Sequence, residues 1–362
     1  MEKVLVLGKG ISGTSAKRLL EEKGFLVTFA NTDELIREEN FSFVVLSPGI
    51  ALTNPLVEKL SKKFNIISEI DLAFRYTECK IIAVTGTNGK SSLVSYLGYM
   101  FDAKVCGNIG TAASDVLPYV KKDDFAILEI SSYQLDITKE KKIDVGILLK
   151  VTPDHLNRYI TFENYLNSKL RIKDLIKDGG IFLQVEEKDF PPGKFFDGPV
   201  MEIIRYLEKN VGGDIFRADT FFKPLEHRLE FVIEKDGVEY INDSKATNPE
   251  STSYAVGRIN KPKIMLLGGS EKESDFSPWN QAFKNNVKCV ICYGQVGEKI
   301  KKALHQNFIV YRVEKMKDAI KKAKTVAEKG DVILLSPGAP SFDEFSAFTE
   351  RGSVFKREVL NE

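Results

Sequence analysis

The residues Ile81-Ile-Ala-Val-Thr-Gly-Thr-Asn-Gly-Lys-Ser-Ser92 concentrate more chemistry than any other stretch of the chain. An apolar run ends in a turn made of Gly86, Thr87, Asn88 and Gly89, and Lys90, Ser91 and Ser92 then lead into the apolar helix pattern LVSYLGYMF. A glycine-rich turn between a buried strand and a helix aims backbone N–H groups and the positive helix end at an anion. Lys90 adds a mobile positive charge. Ser91 adds a hydroxyl of the kind that holds Mg²⁺ beside nucleotide phosphates. Two residues separate Gly86 from Gly89, against four between the glycines of the usual GxxxxGK[ST] loop, so the turn is a phosphate loop of variant spacing.

Two further strand ends carry candidate partners for such a loop. Phe125-Ala-Ile-Leu-Glu129 is an apolar strand closing on a carboxylate, which suits a magnesium ligand facing bound phosphates. His155, one of three histidines, follows another apolar run in Val151-Thr-Pro-Asp-His155. Near the N-terminus, Gly8, Gly10 and Gly13 in Gly8-Lys-Gly-Ile11-Ser12-Gly13 form GxGxxG after the strand Val4–Leu7. In a dinucleotide site an acidic residue should close the second strand, but Phe25–Phe29 is followed by Ala30-Asn31, and Asp33 comes late. The turn therefore reads as holding another pyrophosphate, such as that of a UDP-sugar. A small echo links VVLSPG, with Ser47, Pro48 and Gly49, to ILLSPG near the C-terminus; both are strands ending at a turn, where open α/β sheets hold ligands.

Positioning these groups requires parallel sheets. Short apolar strands alternate with charged amphipathic helices almost to the end, which predicts an α/β fold. The clearest strands are Val4–Leu7, Phe43–Leu46, Ile81–Thr85, Phe125–Glu129, Val145–Leu149, Ile264–Leu267, Val287–Cys292 and Val332–Leu335. Lys235-Asp-Gly237 between His227–Ile233 and Val238–Asn242 predicts a β-hairpin. Breaks in the rhythm near Tyr76–Lys80 and Phe222–Leu225 predict three domains, 1–77, 78–224 and 225–362.

The 52 basic and 51 acidic residues leave no footprint for nucleic acid or an anionic membrane, so neither is expected as a partner. No apolar run approaches the roughly 20 residues of a membrane span, and the first residues do not resemble a signal peptide. The expectation is a cytoplasmic monomer. Of the four cysteines, Cys289 and Cys292 stand three apart in a strand-like run, where they face opposite sides as core groups rather than as a redox pair.

Taken in order, GKGISG, LSPGI, VTGTNGKS, GNIG, LEISSYQL, VTPDHLNRY, NSKLRI, LEHRLEF, NDSKATN, LLGGSEKESDF and LLSPGAPSFDEFSAFTERG resemble the Mur ligases over nearly the whole chain. The resemblance implies an N-terminal Rossmann-like domain that binds the UDP substrate, a central P-loop ATPase-like domain and a C-terminal Rossmann-like domain that brings the amino acid, and with them ATP-dependent joining of D-glutamate to UDP-N-acetylmuramoyl-L-alanine in peptidoglycan precursor synthesis. It implies that Ser91 and Glu129 hold one Mg²⁺, and that His155 helps to hold a second with a carbamylated Lys169. Gly8, Gly10, Ile11, Ser12, Gly13, Ser47, Pro48, Gly49, Asn108 and Ser131 would face the UDP substrate. Arg228, Asp243 and Lys245 would reach the nucleotide, and Thr247, Lys272, Ser341 and Phe348 would line the D-glutamate site. Lys90, His155 and Lys169 would carry the catalysis.

That chemistry runs through an acyl phosphate, which hydrolyses readily in water, so closure of the third domain over the site is expected. Two departures stand out. The segment Val200–Phe222 lacks the His-Asn and Asn/Ala pattern that relatives place around adenine, so the central domain reads as abridged. Gly338-Ala-Pro340 stands where many relatives have Ala-Cys-Ala. Competing readings are a ligase of the same superfamily with another amino acid or a folate substrate, a nucleotide-gated binding protein without turnover, and an NAD-dependent dehydrogenase. The missing ribose acid counts against the last.

Overall fold

The computed structural model describes residues 1–34, 40–185, 199–271, 274–284 and 286–361. They fold as two compact units, one ending at Phe222 and the other starting at Lys223. The architecture is α/β, with three sheets.

The first sheet has strand order β2-β1-β3-β4, from β1 (Lys3–Leu7), β2 (Leu26–Ala30), β3 (Phe43–Leu46) and β4 (Ile66–Ser68), all parallel. Its helices are α1 (Ile11–Glu22), α2 (Pro55–Ser61) and α3 (Glu69–Arg75). The unbroken apolar runs follow from burial on both faces. Leu5, Leu7, Val44 and Leu46 enter one core while Val4, Val6 and Val45 enter the other. With β2 and β3 on opposite sides of β1, the strand order reverses at β1, so the turns after β1 and β3 meet where such sheets hold ligands.

The second sheet, also parallel, has order β6-β7-β5-β8-β9, from β5 (Lys80–Thr85), β6 (Lys104–Gly107), β7 (Phe125–Glu129), β8 (Ile143–Leu148) and β9 (Ile176–Gln184). Strand β5 is central. Its exit loop runs into α4 (Lys90–Met100), and the ends of β7 and β8 lie on either side. The connections carry α5 (Ser132–Leu135), α6 (Leu156–Tyr159) and α7 (Phe162–Leu170). The segment that departs from the Mur ligase pattern folds as α8 (Pro199–Val211) and α9 (Ile215–Phe221). Their apolar residues Ile203, Ile204, Leu207 and Ala218 share a core with Leu93, Val94 and Leu97 of α4.

Buried hydrogen bonds at α3 join these two sheets into one unit. Asp71 Oδ1 accepts from the backbone N–H of Lys139 and Glu140, and its Oδ2 accepts from that of Ser68. Glu69 accepts from Ser114 N, and Thr77 Oγ1 donates to Leu117 O at 2.8 Å.

The second unit holds a sheet of order β10-β11-β15-β12-β13-β14: β10 (Glu230–Lys235), β11 (Val238–Asn242), β12 (Lys263–Gly268), β13 (Val287–Tyr293), β14 (Ile309–Arg312) and β15 (Val332–Gly338). Only β10 is antiparallel to its neighbour. Its helices are α10 (Pro249–Arg258), α11 (Trp279–Ala282), α12 (Gly297–Leu304), α13 (Met316–Val326) and α14 (Phe348–Leu360). Asp236 and Gly237 both take positive φ, 54° and 77°, the backbone that a two-residue hairpin turn needs. The first arm starts at Glu230 rather than His227, because His227 and Leu229 also take positive φ and break the extended run. Cys289 and Cys292 are buried in different cores on opposite faces, and burial raises their thiols to about 11 and about 12.

Candidate active site

Gly86 and Gly89 shape the phosphate loop. Gly86 has φ +144°, and a Cβ there would lie 2.6 Å from Leu149 Cβ; Gly89 has φ +86° and caps α4. Their lack of a side chain lets the loop press against the exit of β8. The two segments are then stitched together: Thr87 N donates to Lys150 O, Thr87 Oγ1 donates to Thr152 O at 3.1 Å, and Thr152 N returns a bond of 3.0 Å. No side chain caps α4 and no acid lies in its first turn, so its positive end is left for an anion.

Lys90 folds back over this loop, its Nζ donating to Gly86 O and Thr87 O, each at 2.8 Å. Ser91 and Ser92 are nearly buried beneath it. On β7, Glu129 pairs in register with Val84 of β5, which brings its carboxylate level with the start of the loop. It is 2% exposed, Oε1 accepts from Asn108 Nδ2 at 2.9 Å, and Oε2 is buried with no hydrogen-bond partner among the described residues. Leaving a carboxylate oxygen desolvated and unbonded is costly.

Lys169 on α7 comes to the same place. It is 2% exposed, donates to Gly86 O at 2.8 Å, and lies 4.7 Å from the centre of the Tyr165 ring. Burial first, and the Lys90 charge second, hold its amine well below the ordinary lysine range; Asp154 and Glu129 pull the other way. His155, at φ +54° before α6, has its ring 5.9 Å from that of Tyr165 and accepts or donates at Nδ1 with Tyr133 Oη, 2.9 Å away. A serine hydroxyl, an orphaned carboxylate oxygen and an imidazole around one phosphate loop make a donor set that fits a divalent cation.

The glycine fingerprint forms a second turn in the same unit. Gly8 has φ +104°, Ser47 Oγ donates to Gly8 O at 3.1 Å, and a Cβ on Gly13 would fall 1.8 Å from Gly8 O. Gly10 precedes α1 without a side-chain cap, Ser12 is half-buried and Ile11 is exposed. The turn Ser47-Pro48-Gly49 is tied to the central sheet, since Arg158 Nη1 donates to Pro48 O at 3.2 Å. Ser131 spends its hydroxyl on capping α5 in a reciprocal arrangement with Gln134.

In the second unit, Lys245 Nζ lies 4.0 Å from the centre of the Phe348 ring, and Ser244 Oγ donates to Phe348 O. Ser341 is buried and Thr247 half-buried. Arg228 keeps a buried Nε with no partner among the described residues. Asp243 is turned inward: Ser336 Oγ and Leu229 N occupy its two oxygens, and burial raises its carboxyl to about 7. Lys272 lies outside the described residues.

Comparison with known proteins bears on the whole chain. Residues 84–191 match the Mur ligase middle domain, and residues 227–338 match the Mur ligase glutamate ligase domain. The UDP-N-acetylmuramoylalanine--D-glutamate ligase of Protochlamydia amoebophila is 32% identical, over 99% of this chain and 98% of that protein. The chain belongs to the Mur ligase family.

The enzyme of the same name from Caldicellulosiruptor saccharolyticus is 33% identical with the same coverage. Among solved structures, the MurF ligase of Thermotoga maritima in complex with ADP superposes with TM-score 0.60 at 17% identity, covering 99% of this chain and 95% of that one. A pseudomurein peptide ligase type C from Methanothermus fervidus gives 0.59 at 16%, covering 99% and 100%. These two share the fold. The alignment to the Protochlamydia ligase extends over 434 positions while this chain has 362 residues, so about 70 positions fall opposite gaps here.

Three residues of this Mur ligase escaped the reading of its sequence. Arg351 on α14 is fully buried and donates to Ser244 Oγ, Ser244 O and Ala339 O at 2.9–3.0 Å, so one guanidinium joins the NDSKATN loop to the SPGAPS loop. The face 348, 351, 352, 355, 359 of that helix is spaced for burial and could have revealed it. Tyr133 and Arg158, beside His155, gave no comparable signal.

Proposed function

We propose that this chain joins D-glutamate to UDP-N-acetylmuramoyl-L-alanine at the expense of ATP, releasing ADP and phosphate. What carries the proposal is full-length similarity to ligases of that activity, together with a phosphate loop faced by a buried carboxylate oxygen that lacks a partner. The substrate carboxylate attacks the γ-phosphorus of ATP, breaking its bond to the bridging oxygen and giving an acyl phosphate and ADP. The amine of D-glutamate attacks the acyl carbon, and the tetrahedral intermediate expels phosphate as the nitrogen loses its proton.

The residue roles proposed here are those the family resemblance implies, supported at the phosphate loop by the contacts of Lys90, Glu129 and Lys169. The amides from Gly86 to Ser92 cradle the triphosphate, and Lys90 exchanges its two loop carbonyls for phosphate oxygens, absorbing charge on the transferring group. Ser91 and Glu129 would hold one Mg²⁺; His155 would hold a second with Lys169 as its carbamate, since an ammonium would repel the ion. Bound there, the cations would neutralise charge on the phosphates. The turns at Gly8–Gly13 and Ser47–Gly49 take the UDP moiety, with Asn108 and Ser131 toward the sugar-peptide. Arg228 and Lys245 serve the nucleotide, while Asp243, with both oxygens taken by Ser336 and Leu229, holds their loop instead of reaching the ligand; Thr247, Lys272, Ser341 and Phe348 serve D-glutamate. With the adenine pattern of relatives missing from Val200–Phe222, recognition of the base falls to other residues.

The test is phosphate release from ATP with UDP-N-acetylmuramoyl-L-alanine and a panel of amino acids. Release with D-glutamate alone is expected. Release with L-lysine, or with none, would redirect the assignment to another ligase or to a binding protein. Substituting GTP or CTP in the same assay measures the base preference.

A further inference from the structure

Tyr133 is the side chain that meets the His155 ring at Nδ1. An imidazole that binds a metal through one nitrogen carries its proton on the other, and the hydrogen-bond partner of that second nitrogen sets both the tautomer and the ring plane. Here Tyr133 Oη lies 2.9 Å from His155 Nδ1, with ring centroids 5.0 Å apart and planes at 59°. Nε2, which lies 3.9 Å from Asp154 Oδ2, is then the nitrogen that would meet a metal, with that carboxylate beside it. That requires Nδ1–H to donate and the phenol oxygen to accept; the reverse polarity would put the proton on Nε2 and block ligation there.

Tyr133 is itself held. The Arg158 guanidinium stacks over its ring at 3.9 Å, close enough for a firm cation–π contact. The same guanidinium is pinned from two directions, donating to Pro48 O at 3.2 Å and pairing with Asp136 at 3.5 Å. Asp136 also accepts from Tyr159 Oη at 2.8 Å. The chain of contacts therefore runs from the Ser47-Pro48-Gly49 turn through Arg158 and Tyr133 to the His155 ring. His155 is in turn fixed at its backbone, where its N–H bonds Asp154 Oδ1 at 2.8 Å in a left-handed conformation that few non-glycine residues adopt.

We infer that Tyr133 is a positioning residue that presents His155 Nε2 to a divalent cation, and that Arg158 braces it from the Pro48 turn. The inference rests on the proposed metal role of His155 and adds to it the group that makes that role selective for one ring nitrogen.

Mn²⁺ binding to the full chain with a non-hydrolysable ATP analogue tests it, read by electron paramagnetic resonance for free Mn²⁺ and for nitrogen coupling from a bound imidazole. Tyr133→Phe keeps the ring under Arg158 and removes only the hydroxyl. It should weaken one class of Mn²⁺ site by about 10- to 100-fold and alter the nitrogen coupling, with an unchanged thermal midpoint and turnover rescued at high Mn²⁺. Arg158→Lys, which loses the planar stack, should change the coupling in the same direction. Wild-type coupling that survives unchanged in Tyr133→Phe, with unchanged affinity, overturns the role of Tyr133. Absence of imidazole coupling in the wild type, matching His155→Ala, overturns the metal role of His155 and this inference with it; the phosphate-release assay would still stand or fall by itself.

Discussion

Lys90 Nζ rests on two carbonyls of its own loop, an arrangement that satisfies an ammonium until a stronger acceptor arrives. Phosphate oxygens are such acceptors, because charge-assisted bonds are roughly twice as strong as those between neutral groups. Lys90→Ala should therefore lower kcat by at least ~10²-fold, the scale of losing one donor to developing charge. Binding of the UDP substrate, measured by calorimetry, should persist, since the glycine turn proposed to take it lies on another sheet; unchanged turnover would remove Lys90 from the mechanism. At this scale the sequence was legible wherever a residue type has few other reasons to occur at a strand end or glycine turn, as with Lys90, Ser91 and Glu129. Tyr133 and Arg158 were not, because a tyrosine and an arginine on short helices have many ordinary roles, and their partners His155 and Pro48 are 22 and 110 residues away.

Among elements, the two glycine turns do their positioning through close backbone approach. Gly13 and Gly10 separate fold from function in the first of them. A Cβ on Gly13 would fall 1.8 Å from a carbonyl oxygen, whereas one on Gly10 meets nothing within 4 Å. Gly13→Ala should cost on the order of 2–4 kcal/mol in urea unfolding, in the range of severe packing defects. Gly10→Ala should stay within about 0.5 kcal/mol of the parent, yet raise KM for the UDP substrate, because the methyl enters the space that the pyrophosphate would use. Equal KM values for parent and Gly10→Ala would place the UDP moiety elsewhere. The sequence marked Val200–Phe222 only as a departure from the family pattern; its folding as α8 and α9 and its contact with Leu93, Val94 and Leu97 show that it completes a core with α4.

At the scale of the whole molecule, α3 joins the first two sheets through carboxylates that are out of water. Asp71 is satisfied by three backbone N–H donors, but Glu69 is fully buried and desolvation raises it from 4.5 to about 7. The folded chain thus holds a proton that the unfolded chain releases above pH 4.5. The corresponding stability is fully present below that pH and is lost as pH rises through about 7, on the order of 3 kcal/mol in all. Asp243, raised to about 7 by burial, adds a loss of the same sign in the second unit. Glu69→Gln keeps an acceptor for Ser114 N without the charge. Its urea midpoint should match the wild type near pH 5 and exceed it near pH 8; a variant with the full wild-type slope would show that Glu69 does not titrate in this range.

Sequence alone determined the α/β class of this Mur ligase, the central strands of its sheets and the loops that end them, because strand periodicity, glycine turns and Gly-Lys-Ser at a helix start are local consequences of backbone sterics and burial; edge strands such as β6, β9 and β14 it left unread. It put Lys90 and Ser91 at a helix start and Glu129 at a strand end, and foresaw opposite faces for Cys289 and Cys292. The tertiary structure decided which groups meet: Lys169 with Lys90 on one carbonyl, Tyr133 on His155, Arg351 across two loops, Asp243 turned inward. Those pairings depend on strand order and on which side chains lose water together, and neither is encoded in the spacing of residues along the chain.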